Sequence, residues 1–109
     1  MALAKLTTKQ GAALSENPWQ VYPRPQLKRD SYLNLNGTWE LEAEGYKGAI
    51  LVPFCPESDL SGVGHKDFLY GVWYQKRVDL TREQCAGRVY LHFGAVDQEC
   101  TVYLNDVEL

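Results

Sequence analysis

The chain has 109 residues, of which 45% are hydrophobic, and its aromatic residues comprise three Trp, seven Tyr and three Phe. This length and composition provide enough apolar material for one globular domain and argue against intrinsic disorder. The net charge of −3, with basic residues scattered along the chain, argues against a binding surface for nucleic acid or for an anionic membrane.

The targeting and redox signals are those of an intracellular protein. No stretch approaches the roughly 20 apolar residues of a membrane span, and residues 1–14 lack the apolar core and cleavage pattern of a secretory signal. Cys55, Cys85 and Cys100 are odd in number and widely spaced, which favours neither a disulfide framework nor a zinc site. We therefore expect a cytoplasmic protein with reduced, mostly packed thiols and with no metal or cofactor.

Residues 1–20 are predicted to form an N-terminal arm, and residues 21–109 a single β domain. The arm has leucines in loosely helical register, but Thr7, Thr8 and Gly11 weaken a helix and Asn17-Pro18 would end it. A mobile arm or a short helix is therefore expected.

The first strand is predicted to follow an Asn36-Gly37 turn. In Thr38–Ala43 the apolar Trp39, Leu41 and Ala43 alternate with polar residues, which is typical of an antiparallel sheet with one solvent-exposed face. This pattern places Trp39 in the core. A polar connection over 44–48 is then followed by a short apolar strand, Ala49–Val52, which Pro53 ends.

Residues 53–71 show no sustained periodicity and are predicted to form a long irregular loop, which its aromatic residues keep ordered. Alternation resumes over 72–80, where both faces carry an aromatic residue. The set containing Tyr74 is the more apolar, but the pattern leaves the inward face open. Thr81 is predicted to cap one helical turn.

Two further strands are predicted over 88–93 and 100–104 by the alternation of apolar and polar residues. A tight turn at Asn105-Asp106 is followed by the start of another strand over 107–109. Five short strands plus this last segment, without a long helix, indicate an all-β sandwich of the jelly-roll or immunoglobulin kind.

The acidic residues of the long loop are the candidates for acid–base chemistry. Glycoside hydrolysis needs two carboxylates at a defined separation, and Glu57, Asp59 and Asp67 lie on irregular backbone that does not guarantee one. Surface solvation is the more common role of such residues. Asp67 is the best candidate, because the neighbouring Phe68 and Tyr70 could stack on a sugar ring while the carboxylate accepts hydrogen bonds from hydroxyls.

The histidines and serines do not form a nucleophilic constellation. His65 lies in the loop and His92 on the polar face of a strand, and neither has a Ser or Cys partner in the pattern. The serines of Pro56–Gly62 lack the flanking glycines of a nucleophile elbow. Catalytic-triad and nucleotide-binding functions are therefore not expected.

Four segments in series, PRPQLKRDSYLNLNGTWEL, ILVPFCPESDLSG, LYGVWYQKRVDL and RVYLHFGAVDQECTVYLNDVEL, closely resemble the N-terminal sugar-binding domain of glycoside hydrolase family 2. That family includes β-galactosidases, β-glucuronidases and β-mannosidases. The resemblance covers residues 23–109 and implies a jelly-roll sandwich of the galactose-binding-domain type. In the family this domain packs against an immunoglobulin-like domain and a TIM barrel.

The residues that the resemblance carries over are mostly structural, and none is catalytic, because the family's two catalytic glutamates lie on the barrel. The matching positions are Asn36, Gly37, Trp39, Pro53, Trp73, Tyr74 and Asn105. The loop before Trp73 is where some members send a side chain toward the sugar. Asp67, with Phe68 and Tyr70, is therefore the expected substrate contact.

The resemblance also shows two departures. Asp106 stands where the family usually has Gly in an Asn-Gly turn, at a cost of about 1 kcal/mol. The family continues with further sandwich strands, so the sandwich is expected to be incomplete at its C-terminus. We then expect a homo-oligomer or self-association through the exposed sandwich edge, and a clean monomer in sedimentation at high protein concentration would contradict it.

The function expected from the resemblance is that of the N-terminal non-catalytic domain of a retaining β-glycosidase. Such a domain supports the catalytic barrel and shapes one wall of a pocket for a β-glycoside in carbohydrate metabolism. The 109 residues alone are then not an enzyme, although the parent protein is a glycosidase. The alternatives are a stand-alone carbohydrate-binding module and a structural or oligomerisation domain.

Overall fold

The computed structural model describes residues 6–109, and its regular secondary structure is mostly antiparallel strand with little helix. The helix α1 spans Lys9–Ala12, and the strands are β1 (Gly37–Ala43), β2 (Tyr46–Val52), β3 (Val72–Gln75), β4 (Tyr103–Leu104) and β5 (Val107–Glu108). The chain divides into two compact units, Met1–Val78 and Asp79–Leu109. Within residues 6–109 no helix is long and apolar enough to cross a membrane. The all-β class predicted from the alternation is confirmed.

The first unit contains a three-stranded antiparallel sheet in the order β2-β1-β3, with β1 at its centre. Trp39 pairs with Ile50, and Leu41 lies opposite Gly48 in β2 and opposite Tyr74 in β3. Leu41 and Ile50 are each 1% exposed, whereas the glutamates that alternate along β1 face solvent. The apolar alternation of β1 thus determines which face of the sheet is buried.

The β1–β2 hairpin is tighter than the sequence predicts. We expected a polar connection over 44–48, but β2 already begins at Tyr46, and only Glu44 and Gly45 form the turn. Gly45 has a φ of 77°, a conformation that glycine adopts without steric cost. Tyr46 to Gly48 are polar or small, and they become strand because β1 offers them backbone partners.

The third strand is shorter than predicted, since β3 ends at Gln75 and does not extend to residue 80. Its register resolves the open question of the inward face: Tyr74 stands opposite the buried Leu41, and Trp73 stands opposite the solvent-exposed Glu42. Lys76 lies along the same face as Tyr74, where its Nζ donates to the Thr38 carbonyl at 2.8 Å and lies 5.8 Å from the centre of the Trp39 ring.

The sequence pattern predicts that Trp39 is a core residue, but it is only half-buried and lies at the margin of the core formed by Leu41 and Ile50. Its Nε1 donates to the Leu35 carbonyl at 2.7 Å, and its ring meets that of Tyr74 edge-on at 6.5 Å. The indole therefore covers one end of the core with its apolar body while its polar atom bonds to backbone, which is the usual compromise for a tryptophan.

The described part of the arm begins at residue 6, and residues 1–5 of the predicted arm lie outside the described residues. Thr8 caps the short α1 by accepting a hydrogen bond from the Gly11 amide at 2.9 Å. Further along, Pro18 is buried, and the segment around it lies against the residues that precede β1.

In the second unit, β4 and β5, each two residues long, form a hairpin in which Tyr103 pairs with Glu108 and Leu104 pairs with Val107. Asn105 and Asp106 have φ values of 47° and 65°, as a tight hairpin turn with two left-handed central residues requires. The Leu109 amide donates to the Val102 carbonyl at 2.9 Å and extends this pairing. The turn predicted at Asn105-Asp106 is confirmed.

The other strands predicted in this unit are shortened or missing. Residues 88–93 do not form a strand, and within 100–104 only Tyr103 and Leu104 are paired. Alternating apolar and polar residues would give a strand one apolar and one polar face. A strand also requires a neighbouring strand that supplies backbone hydrogen bonds. The turn capped by Thr81 is present: its Oγ1 accepts from the Gln84 amide, and its own amide donates to the Gln84 side chain at 2.8 Å.

Candidate functional site

The loop over 53–71 is ordered by local hydrogen bonds. Ser58 caps a 3₁₀ turn, Asp59–Ser61, and the Ser61 side chain is 2% exposed. The Ser61 hydroxyl donates to the Ser58 carbonyl at 2.7 Å and accepts from the Val63 amide at 3.1 Å. The turn then ends at Gly62, whose φ of 84° suits glycine. The prediction named the aromatic residues of this loop, and the local bonds also involve Ser61.

The acidic residues at the start of the loop are held by one lysine. Lys66 Nζ donates to the Glu57 carbonyl at 2.8 Å and lies 3.3 Å from Asp59 Oδ1. Both charged side chains remain largely exposed, so this ion pair contributes at most about 1 kcal/mol. Within the loop, the His65 amide also donates to the Pro56 carbonyl at 2.9 Å. Asp59 and His65 thus make contacts that stabilise the loop conformation.

The predicted contact residues lie together at the end of the loop, directly before β3. The rings of Phe68 and Tyr70 meet edge-on with their centroids 4.8 Å apart, and the two side chains are 77% and 89% exposed. Asp67 precedes them and is also exposed. Edge-to-face aromatic pairs of this geometry stabilise each other by about 1 kcal/mol. An aromatic surface with an adjacent carboxylate is therefore presented to solvent.

The positions named by the sequence resemblance mostly lie in or beside the first sheet. Asn36 and Gly37 lead into β1, Trp39 lies within it, Pro53 directly follows β2, and Trp73 and Tyr74 are in β3. Asn105 occupies the β4–β5 turn in the second unit. The motif positions thus mark the turn, the centre and both neighbours of β1.

Tyr74 lies between the sheet and the start of the loop. Burial raises the pKa of its phenol above the ordinary value of 10.0, and the negative charges of Glu57 and Cys55 raise it further. A raised pKa in the folded chain favours the neutral phenol. The resulting contribution to stability is present below pH 10.0 and is lost as the pH rises through the higher folded value.

We expect the phenolate absorbance assigned to Tyr74, obtained by subtracting the titration of Tyr74→Phe from that of the parent chain, to appear at a higher pH than that of a free tyrosine. Glu57→Gln should lower this pKa, because the substitution removes a negative charge that opposes ionisation. Asp67→Asn, which neutralises another carboxylate in the same loop, is the matched control. An equal response to both substitutions would contradict the role of Glu57.

The exposure of the three cysteine thiols differs from the prediction. Cys55, Cys85 and Cys100 are free, as expected, but all three are exposed, so the expectation of packed thiols is wrong. Each lies in a turn or irregular segment instead of at an inward position of a paired strand. Among residues 6–109 no group of three or more potential metal ligands occurs.

The sequence pattern missed Trp19, which it placed inside the arm. Trp19 is 62% exposed, and its ring lies 5.1 Å from that of Phe54, the residue that follows Pro53. Its φ of 50° is in the left-handed region, which is uncommon for a residue with a large side chain. The signal that could have indicated this site is a tryptophan directly after Asn17-Pro18, a pair that favours a turn.

The second unit contains a shallow cleft of about 340 Å³, and none of the predicted contact residues lines it. Its walls come from Leu91, Phe93, Cys100, Thr101, Val102, Glu108 and Leu109.

Comparison with known proteins places the chain in no group: no family model, no curated protein and no solved structure matches it.

Proposed function

We propose that this chain is the N-terminal, non-catalytic domain of a retaining β-glycosidase of glycoside hydrolase family 2, with a jelly-roll sandwich as its complete architecture. The observation that carries the proposal is the arrangement around β1. Three of the four segments that resemble the family supply three adjacent strands of one antiparallel sheet, with the motif residue Trp39 in contact with the motif residue Tyr74. A shared structural role explains why these segments occur in series.

In this proposal the domain supports the catalytic barrel and forms one wall of the sugar pocket. Phe68 and Tyr70 are the residues suited to that wall, because their exposed rings offer an apolar surface to the C–H groups of a pyranose. The exposed Asp67 carboxylate accepts hydrogen bonds from sugar hydroxyls. The reaction itself requires two glutamates of the barrel, one as nucleophile and one as general acid and base.

The gene sequence after codon 109 tests this proposal directly. We expect an open reading frame that encodes an immunoglobulin-like domain and a barrel with two catalytic glutamates. The isolated 109 residues should release no nitrophenol from nitrophenyl β-galactoside or β-glucuronide at an enzyme-like rate. A stop codon directly after residue 109, or enzyme-like turnover by the isolated chain, would overturn the proposal.

A stand-alone carbohydrate-binding module is the second candidate, and the exposure of the Phe68–Tyr70 pair favours it. Such a module should bind galactose, glucuronate or an oligosaccharide at the Phe68–Tyr70 pair with a Kd of about 1 mM or lower, whereas this pair, as one wall of a pocket, should not bind sugar alone. We expect no shift of the Phe68 and Tyr70 ring signals in nuclear magnetic resonance when these sugars are added. Saturable shifts that Tyr70→Ala abolishes and Tyr90→Ala preserves would favour the module.

A further inference from the structure

Trp19 is an exposed aromatic residue whose backbone and ring are each contacted by a distant segment of the chain. Asn34 Nδ2 donates to the Trp19 carbonyl at 3.0 Å, and Asn36 Nδ2 reaches the same oxygen at 3.4 Å. Phe54 contacts the ring from the end of β2 at a tilt of 57°. The position of this indole is therefore fixed by Asn34, Asn36 and Phe54, which are distant from Trp19 along the chain.

This arrangement carries a backbone free-energy cost and still leaves most of the indole exposed. A left-handed backbone at a residue other than glycine costs about 1–2 kcal/mol, and a tryptophan that remains 62% exposed gains only part of its burial energy. Strained residues of this kind persist where neighbouring contacts over-determine them, and they concentrate at ligand sites. The indole is thus pre-positioned while much of its surface stays open to solvent.

Carboxamide side chains bond the backbone of Pro18 and Trp19. Besides Asn34 and Asn36, Gln20 Nε2 donates to the Asn36 carbonyl at 3.3 Å and to the Pro18 carbonyl at 3.4 Å. A carboxamide donates and accepts hydrogen bonds without carrying charge. The Asn36 and Gln20 bonds are longer than the usual 2.9–3.0 Å, so these amides lose little when they turn toward a hydroxyl.

An exposed aromatic ring on a backbone segment that neutral amides bond matches one ligand chemistry. The ring offers a stacking surface to an apolar face of C–H groups, and the nearby amides are suited to bond uncharged hydroxyls. We propose that Trp19, Phe54 and the amides of Gln20 and Asn36 form a binding subsite for a neutral pyranose unit of an oligosaccharide. This subsite is separate from the Phe68–Tyr70 pair and does not depend on the presence of a barrel.

The test follows the three tryptophan indole N–H signals of the full 109-residue chain by nuclear magnetic resonance during titration with cellobiose and with lactose. We expect the Trp19 signal, assigned by its loss in Trp19→Phe, to shift in a saturable way with a Kd of about 1 mM. Trp19→Ala should weaken binding about tenfold, measured by calorimetry, because the stacking surface is lost. Trp73→Phe replaces another exposed tryptophan and should leave the affinity unchanged.

Three outcomes overturn the subsite. The first is a Trp19 signal that does not move with either sugar, and the second is a shift confined to the Phe68 and Tyr70 rings. The third is saturation by a proline-rich peptide in place of the sugars, since aromatic grooves also bind such peptides. Gln20→Ala provides a second test in case Trp19→Ala does not fold. This variant keeps the indole and removes one amide, so the sugar affinity should fall while the backbone spectrum stays unchanged.

Discussion

Replacing Leu41 by alanine is expected to lower the free energy of unfolding by about 3 kcal/mol, the largest stability effect that we predict for this chain. Leu41 is 1% exposed and lies at the centre of the three-stranded sheet. Its partner in β2 is Gly48, which has no side chain that could move into the space left by the missing methyl groups. A domain of this size has only about 5–15 kcal/mol of stability in total, so the loss is a large fraction of it.

Urea unfolding monitored by circular dichroism measures this effect. Leu6→Ala is the matched control, because it makes the same chemical change at a side chain that is 94% exposed. We expect the control to change the free energy of unfolding by less than about 0.5 kcal/mol. Similar unfolding midpoints for Leu41→Ala and Leu6→Ala would show that the β1 core does not hold the first unit together.

Replacing Gly37 by alanine is expected to destabilise the chain by about 2 kcal/mol, for reasons of backbone conformation and of space. Gly37 has a φ of 130°, which side-chain-bearing residues rarely adopt. An added Cβ would lie 3.2 Å from Asn17 Oδ1 and 3.6 Å from the Glu16 carbonyl oxygen. The substitution thus strains the turn into β1 and also pushes the arm away from it.

Gly71→Ala provides the control for this prediction, because a Cβ at Gly71 meets no atom within 4 Å and the position has no left-handed backbone. We expect thermal unfolding of Gly71→Ala to match that of the parent chain or to occur at a slightly higher temperature, since alanine restricts the unfolded chain. Equal unfolding temperatures for the two variants would mean that neither the backbone conformation at Gly37 nor its contact with the arm constrains the chain in solution.

The two proposals for sugar contact use opposite ends of one loop. Phe54, at the start of the loop, contacts Trp19, whereas Phe68 and Tyr70 precede β3 at its end. Local bonds around Ser61 and Lys66 hold the shape of the segment between them. Because each end has its own aromatic signals, one titration distinguishes a sugar at Trp19 from a sugar at the Phe68–Tyr70 pair.

The sequence predicted those features that depend on neighbouring residues. Alternation along β1 identified the buried side of Leu41, because successive side chains of a strand point to opposite faces. Asn105-Asp106 identified the hairpin turn, because these two residue types tolerate a left-handed backbone. The cap at Thr81 and the adjacency of Phe68 and Tyr70 were likewise readable, since each involves residues within a few positions.

Strand pairing and burial could not be predicted in the same way, because they depend on distant partners. Tyr46 to Gly48 form strand only because β1 lies beside them, while the better alternating pattern of 88–93 forms none. The half-buried state of Trp39 follows from its bond to Leu35 and its contact with Tyr74.

The site at Trp19 shows most clearly which features the local sequence predicts and which depend on distant contacts. The sequence by itself determined a turn-favouring Asn17-Pro18 pair, a tryptophan after it and an all-β domain to follow. Only the tertiary structure decided that Asn34 and Asn36 fix the tryptophan backbone and that Phe54 supports its ring. The physical reason is that local preferences act over a few residues, whereas the position of an exposed side chain depends on which distant segments fold against its backbone.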